Sequence, residues 1–89
     1  MTKVIWKYPL ELTDTGTGWQ EILLPIMPKF LCVQVQNGVP TIWVMVDPKA
    51  KTAWQGFRLI GTGQQLTEEP SGKYLGTFQL DGFVWHLFE

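Results

Sequence analysis

Asn37-Gly38 lies between two apolar alternating segments, and this pair dictates the local chain path more narrowly than any other. Both residues accept positive φ, as a two-residue hairpin turn requires. Before the pair, residues 30–36 alternate: Leu31, Val33 and Val35 are expected inward, and Cys32, Gln34 and Gln36 outward. After it, residues 41–47 are apolar on both faces, with Ile42, Val44 and Val46 set against Trp43 and Met45. A strand apolar on both sides is central in its sheet or covered by a partner. Asp81-Gly82 repeats the turn signal between residues 74–80 and 83–88. The last segment sets Phe83, Trp85 and Leu87 against Val84, His86 and Phe88, again largely apolar on both faces.

The rest of the chain follows the same grammar. Val4, Trp6, Tyr8, Leu10 and Leu12 share one side of the first segment, with Lys3, Lys7 and Glu11 on the other. Pro9 cannot donate a ladder hydrogen bond, which places this strand at a sheet edge. Residues 13–18 form a loop by composition, 19–24 a short strand, and 54–60 another, ended by Gly61-Thr62-Gly63. Two alanines, nine glycines and six prolines argue against helices. The expected fold is all-β: one domain over residues 1–89, a small antiparallel barrel or sandwich of six to seven short strands. By surface scaling, such a chain buries about 64% of its unfolded surface, enough for one modest core.

Composition narrows function by exclusion. Hydrophobic residues make up 45% of the chain and charged residues 17%, which rules out intrinsic disorder. Lys plus Arg is 7 and Asp plus Glu is 8, so there is no strong nucleic-acid signal and no attraction to an anionic membrane. The longest apolar run, residues 42–46, is far short of a membrane-crossing helix, and residues 1–8 contain no apolar signal-peptide core. Cys32 is the sole cysteine, which excludes an internal disulfide or a cysteine-based metal site and fits a reducing, intracellular setting. With one His, one Ser and one Arg, the chain is short of acid, base and nucleophile. No catalytic residue, metal ligand or cofactor is expected. An enzyme reading would rest only on a Thr and His86.

What remains are binding groups. Arg58, opposite Phe57 and Leu59 in its strand, offers a planar guanidinium suited to phosphate or carboxylate; the plainer reading is a solvated surface Arg. Gly61, Thr62, Gly63 and Gln64 follow a strand, where glycines let backbone amides approach phosphate oxygens. No P-loop Lys follows, and an ordinary strand-ending turn explains the same residues. Five Trp in 89 residues exceed what one small core needs. Parity assigns Trp6 and Trp85 to the core and leaves Trp19 undecided. Trp43 and Trp54 remain for a subunit contact or for stacking a flat base. Gln34 and Gln36, on an outward face, have amides able to read polar edges, though a solvated strand face explains them too.

Several pieces together carry a resemblance: Val35-Gln36-Asn37-Gly38, Gly61-Thr62-Gly63, Tyr74-Leu75-Gly76-Thr77-Phe78 and Trp85-His86-Leu87-Phe88-Glu89. In these pieces the chain resembles, almost end to end, a family of short, functionally uncharacterised proteins encoded by bacteriophages and prophages. Residues 15–27 look longer than is typical of that family. The resemblance transfers no site residue, because the family has no settled activity. It implies a non-enzymatic accessory protein acting in the host cytoplasm, often against host defence. The expected function is sequestration of a phosphorylated small molecule such as a cyclic-nucleotide immune signal. The alternative is a protein–protein inhibitor of a host defence factor, or a phage structural or accessory interaction protein. Strands apolar on both faces need more cover than so short a sheet supplies, so a homo-oligomer is expected in either case.

Overall fold

A computed structural model describes residues 2–12 and 18–89. Seven strands form two antiparallel sheets. They are β1 (Val4–Pro9), β2 (Trp19–Pro25), β3 (Lys29–Gln36), β4 (Val39–Val46), β5 (Thr52–Gly61), β6 (Tyr74–Leu80) and β7 (Phe83–Phe88). One sheet has the order β1-β4-β3 and the other β2-β5-β7-β6. The architecture is a sandwich rather than a closed barrel. No described helix is long and apolar enough to cross a membrane.

Both turn pairs act as their chemistry demands. Asn37 (φ 51°) and Gly38 (φ 79°) join β3 to β4, and Asp81 (φ 53°) and Gly82 (φ 82°) join β6 to β7. Two consecutive positive φ angles define the turn whose twist matches that of the flanking strands. The two strands apolar on both faces, β4 and β7, are each interior to their sheet, and β1 with its Pro9 is an edge.

The core is a seam between inner faces. Ile42, Val44 and Val46 of β4, all at most 1% exposed, meet Leu24, Phe57, Leu59, Phe78 and Leu87 of the other sheet. Val33 of β3 and Leu10 complete it. On one side the sheets draw together: a Cβ on Gly76 of β6 would come within 2.7 Å of the Val33 side chain. On the other side Gln20 bridges β2 to the segment after β1, its amide donating to the Glu11 carbonyl (2.8 Å) and accepting from the Glu11 amide (2.9 Å). Burial raises the Tyr8 phenol above its ordinary pKa.

Three parity expectations need correction. Trp6 does face inward, opposite Val44, yet it is 42% exposed. It sits on the edge strand β1, which has a neighbouring strand on one side only. Leu31 is exposed rather than inward, because the register shifts between Phe30 and Cys32. That irregularity turns Phe30 toward the core in its place. Phe83 is 66% exposed at the start of β7, while Trp85, two residues on, packs against the core. The Trp85 indole N–H is buried and finds no acceptor among the described residues.

Two stability measurements follow. Leu87→Ala or Ile42→Ala empties a fully buried position and should cost about 2–5 kcal/mol in chemical denaturation. Gly18 combines φ +66° with a Cβ direction that runs into the Leu59 carbonyl, and its own carbonyl accepts a bond from the Leu59 N–H (3.0 Å). Gly38 (φ +79°) has open space around its Cβ position. Gly38→Ala should therefore cost about 1–2 kcal/mol from backbone strain alone, and Gly18→Ala clearly more.

Candidate functional site

Directly opposed residues of antiparallel strands share a face, so the registers read out the surface of each sheet. On the outer face of the four-stranded sheet, β5 contributes Trp54, Gly56, Arg58 and Ile60. Their β2 partners are Leu23 beside Trp54, Glu21 beside Gly56 and Trp19 beside Arg58. On the other flank Phe88 pairs with Arg58 and His86 with Ile60. Tyr74 and Thr77 of β6 extend the face beyond β7. Aromatic side chains thus flank the single guanidinium on both sides.

Gly56 shapes this surface. A Cβ there would lie 3.0 Å from the Trp19 ring, so the bare backbone lets the indole lie across β5. An open pocket of about 560 Å³, lined by Trp19, Gln20, Glu21 and Gly56, results. Trp19 and Trp54 remain 58% and 66% exposed, a large aromatic area in water for a chain this small. Arg58 is half-buried in the face.

The far end of the face is a hydrogen-bonded network. His86 Nε2 lies 2.7 Å from the Thr62 hydroxyl and Nδ1 lies 3.0 Å from the Thr77 hydroxyl, which also pairs with the Tyr74 hydroxyl. Tyr74 packs edge-on against Phe88, with ring centroids 5.6 Å apart. With both ring nitrogens engaged by hydroxyls, His86 serves to tie β7, β6 and the turn after β5 together.

The site residues expected from sequence separate into two groups. Arg58 and Trp54 lie on this outer face, with Gly61, Thr62, Gly63 and Gln64 at the end of the same strand. Trp43, Gln34 and Gln36 lie on the outer face of the other sheet, across the core. There Trp43 is half-buried, and Gln36 accepts a hydrogen bond from Lys7 (2.8 Å). The fold therefore does not bring Trp43, Gln34 or Gln36 into one site with Arg58. The glycine turn is also self-satisfied in part. The Gly61 amide donates to the Gln64 side chain (3.1 Å), the Thr62 amide to the Val84 carbonyl (3.0 Å) and the Gln64 amide to the Gly61 carbonyl (3.1 Å). Those three amides are engaged within the turn and its neighbour β7.

Sequence reasoning left Trp19 undecided and did not assign Tyr74 or Phe88 to the site. Strand parity does not place them; the cross-strand register sets Trp19 and Phe88 beside Arg58, with Tyr74 beyond Phe88. A second cavity, of about 520 Å³, opens between the sheets with Lys29, Lys73 and Glu89 at its lining and Leu24, Phe30 and Phe57 beneath. Among the described residues no group of three or more His, Cys, Asp or Glu is arranged to hold a metal ion.

No curated protein and no solved structure matches the chain. A family model described as a domain of unknown function (DUF7352) matches residues 1–89. The chain belongs to that family.

Proposed function

We propose that this protein is a non-catalytic binding protein, a phage accessory factor that sequesters a phosphorylated small molecule such as a cyclic-nucleotide immune signal. One observation carries the reading: Trp19, Trp54 and Arg58 share the outer face of the four-stranded sheet around the bare backbone of Gly56. A flat base has an indole to stack on, and a phosphate has the Arg58 guanidinium to meet. Glu21, beside Gly56 on the same face, disfavours an anion there. The phosphate therefore lies toward Arg58 and the Thr62 end of β5, with the base toward Trp54. The phage setting and the anti-defence role rest on the sequence resemblance and not on this geometry.

Isothermal titration of the full chain against cyclic di- and trinucleotides and cyclic ADP-ribose isomers tests this reading. Binding of at least one compound is expected. Trp54→Ala should then weaken it by about tenfold or more, since a stacked base contributes roughly 1–3 kcal/mol. Arg58→Ala should weaken phosphorylated ligands more than their unphosphorylated counterparts. No binding across the panel overturns the reading.

A second reading has its own observation. Ile5, Trp43 and Met45 lie together on the outer face of the three-stranded sheet, and Ile5 is 55% exposed. An apolar cluster of this kind suits a protein partner, as in an inhibitor of a host defence factor. Affinity capture from infected cells should then recover one stoichiometric partner. Retention of that partner at full strength by Trp43→Ala would exclude this face.

A further inference from the structure

We infer that the base held on the outer face of the four-stranded sheet is guanine, selected by the Glu21 carboxylate, an inference that rests on the nucleotide reading of that face. Trp19 and Glu21 share the face on β2, and Glu21 pairs with Gly56 of β5. Gly56 places no side chain opposite Glu21, and the Trp19 ring reaches over that position, 3.0 Å from where a Cβ would stand. The pocket formed there, about 560 Å³ in volume, falls in the range of small-ligand sites. Trp54 stands at the next position of β5 on this face and is 66% exposed.

Hydrogen-bonding capacity in this pocket is narrow. Of the side chains that line it, Gln20 and Glu21 are the two that accept hydrogen bonds. The Gln20 amide is occupied in both directions by the Glu11 backbone, donating to the carbonyl (2.8 Å) and accepting from the amide (2.9 Å). The Glu21 side chain is exposed, and no described residue offers its carboxylate a hydrogen bond or an ion pair. An ionised carboxylate only accepts. A flat ligand that stacks on an indole here must therefore turn N–H groups toward Glu21, and an edge carrying lone pairs is repelled.

The common bases differ in that edge. Guanine alone offers two adjacent donors, N1–H and the exocyclic N2–H, which match the two carboxylate oxygens as a bidentate pair. Adenine and cytosine set an amine beside a ring nitrogen whose lone pair would face the carboxylate. Uracil holds a single N–H between two carbonyls. Arg58 lies two residues along β5 from Gly56 on the same face. Its charge disfavours a cationic ligand at Glu21 and favours a phosphate beyond the base. The Gly56 and Arg58 positions are roughly 7 Å apart along the strand, a reach that one nucleotide spans.

Isothermal titration of the full chain with two matched pairs, cyclic di-GMP against cyclic di-AMP and GTP against ATP, tests the base. The guanine compound of a pair is expected to bind more tightly by about tenfold or more, the discrimination that a bidentate base contact gives. Whichever guanine compound binds more tightly tells a cyclic signal from a linear nucleotide. Glu21→Gln keeps the length of the side chain but sets a donor beside the acceptor, a pattern that suits adenine, and should abolish the guanine preference. Circular dichroism melts check that the variant folds, and Glu21→Ala replaces it if it does not. Adenine compounds that bind as tightly as their guanine partners overturn the inference and leave the sequestration reading standing. A guanine preference that survives the Glu21 substitution overturns it as well. Failure of both guanine compounds to bind overturns it too, and the sequestration reading falls with it only if the wider panel of cyclic nucleotides is also silent.

Discussion

Everything in this molecule depends on β4 being buried from one side and hydrogen-bonded from both. Ile42, Val44 and Val46 are the deepest residues of the three-stranded sheet, and each lies in the inner layer that the other sheet must cover. Because β1 and β3 flank β4, its backbone groups are satisfied within the sheet and its side chains are free to pack. A core this small leaves little margin. The single buried polar side chain among the described residues, Thr41, is satisfied locally by donating its hydroxyl to the Val39 carbonyl (3.0 Å). Without the β4 seam neither sheet has an inner partner, and neither outer face has a packed layer beneath it.

Cross-strand register is what gives the outer faces their chemistry. A four-stranded sheet presents side chains on a fixed lattice, so residues remote in sequence become neighbours through register alone. Trp19 and Arg58 are set side by side by β2 and β5, and Phe88 joins them from the chain terminus. Gly56 matters by what it lacks: a side chain there would push the Trp19 ring off the strand. Rigid aromatic groups on a sheet lose little conformational entropy on binding, which makes them efficient contacts for a flat partner.

Much of this is legible in the sequence. The turns at Asn37-Gly38 and Asp81-Gly82 follow from backbone sterics local to two residues, and both form. The interior positions of β4 and β7 follow from apolar side chains on both faces, and the edge position of β1 from Pro9. What failed had non-local causes. Trp6 obeys its parity but is only partly covered, because it lies on an edge strand. Leu31 lost its inward place to a register shift that no alternation pattern announces. Trp43, Gln34 and Gln36 parted from Arg58 because period-two alternation assigns a residue to a face but cannot tell which of two sheets carries that face.

The same limit explains why the excess of Trp is a statement about surfaces rather than about the core. The core as built uses Leu, Ile, Val and Phe and contains no Trp at full burial. Trp85 packs against that core, and there the indole N–H is left without an acceptor among the described residues. An indole in a narrow two-layer sandwich meets a geometric conflict: its area suits the interior, while its N–H needs a polar neighbour that an apolar seam does not provide. At an exposed sheet position water takes that N–H, and the ring stays available. Trp19 and Trp54 are both exposed on one face, where they offer a partner a large apolar area to cover.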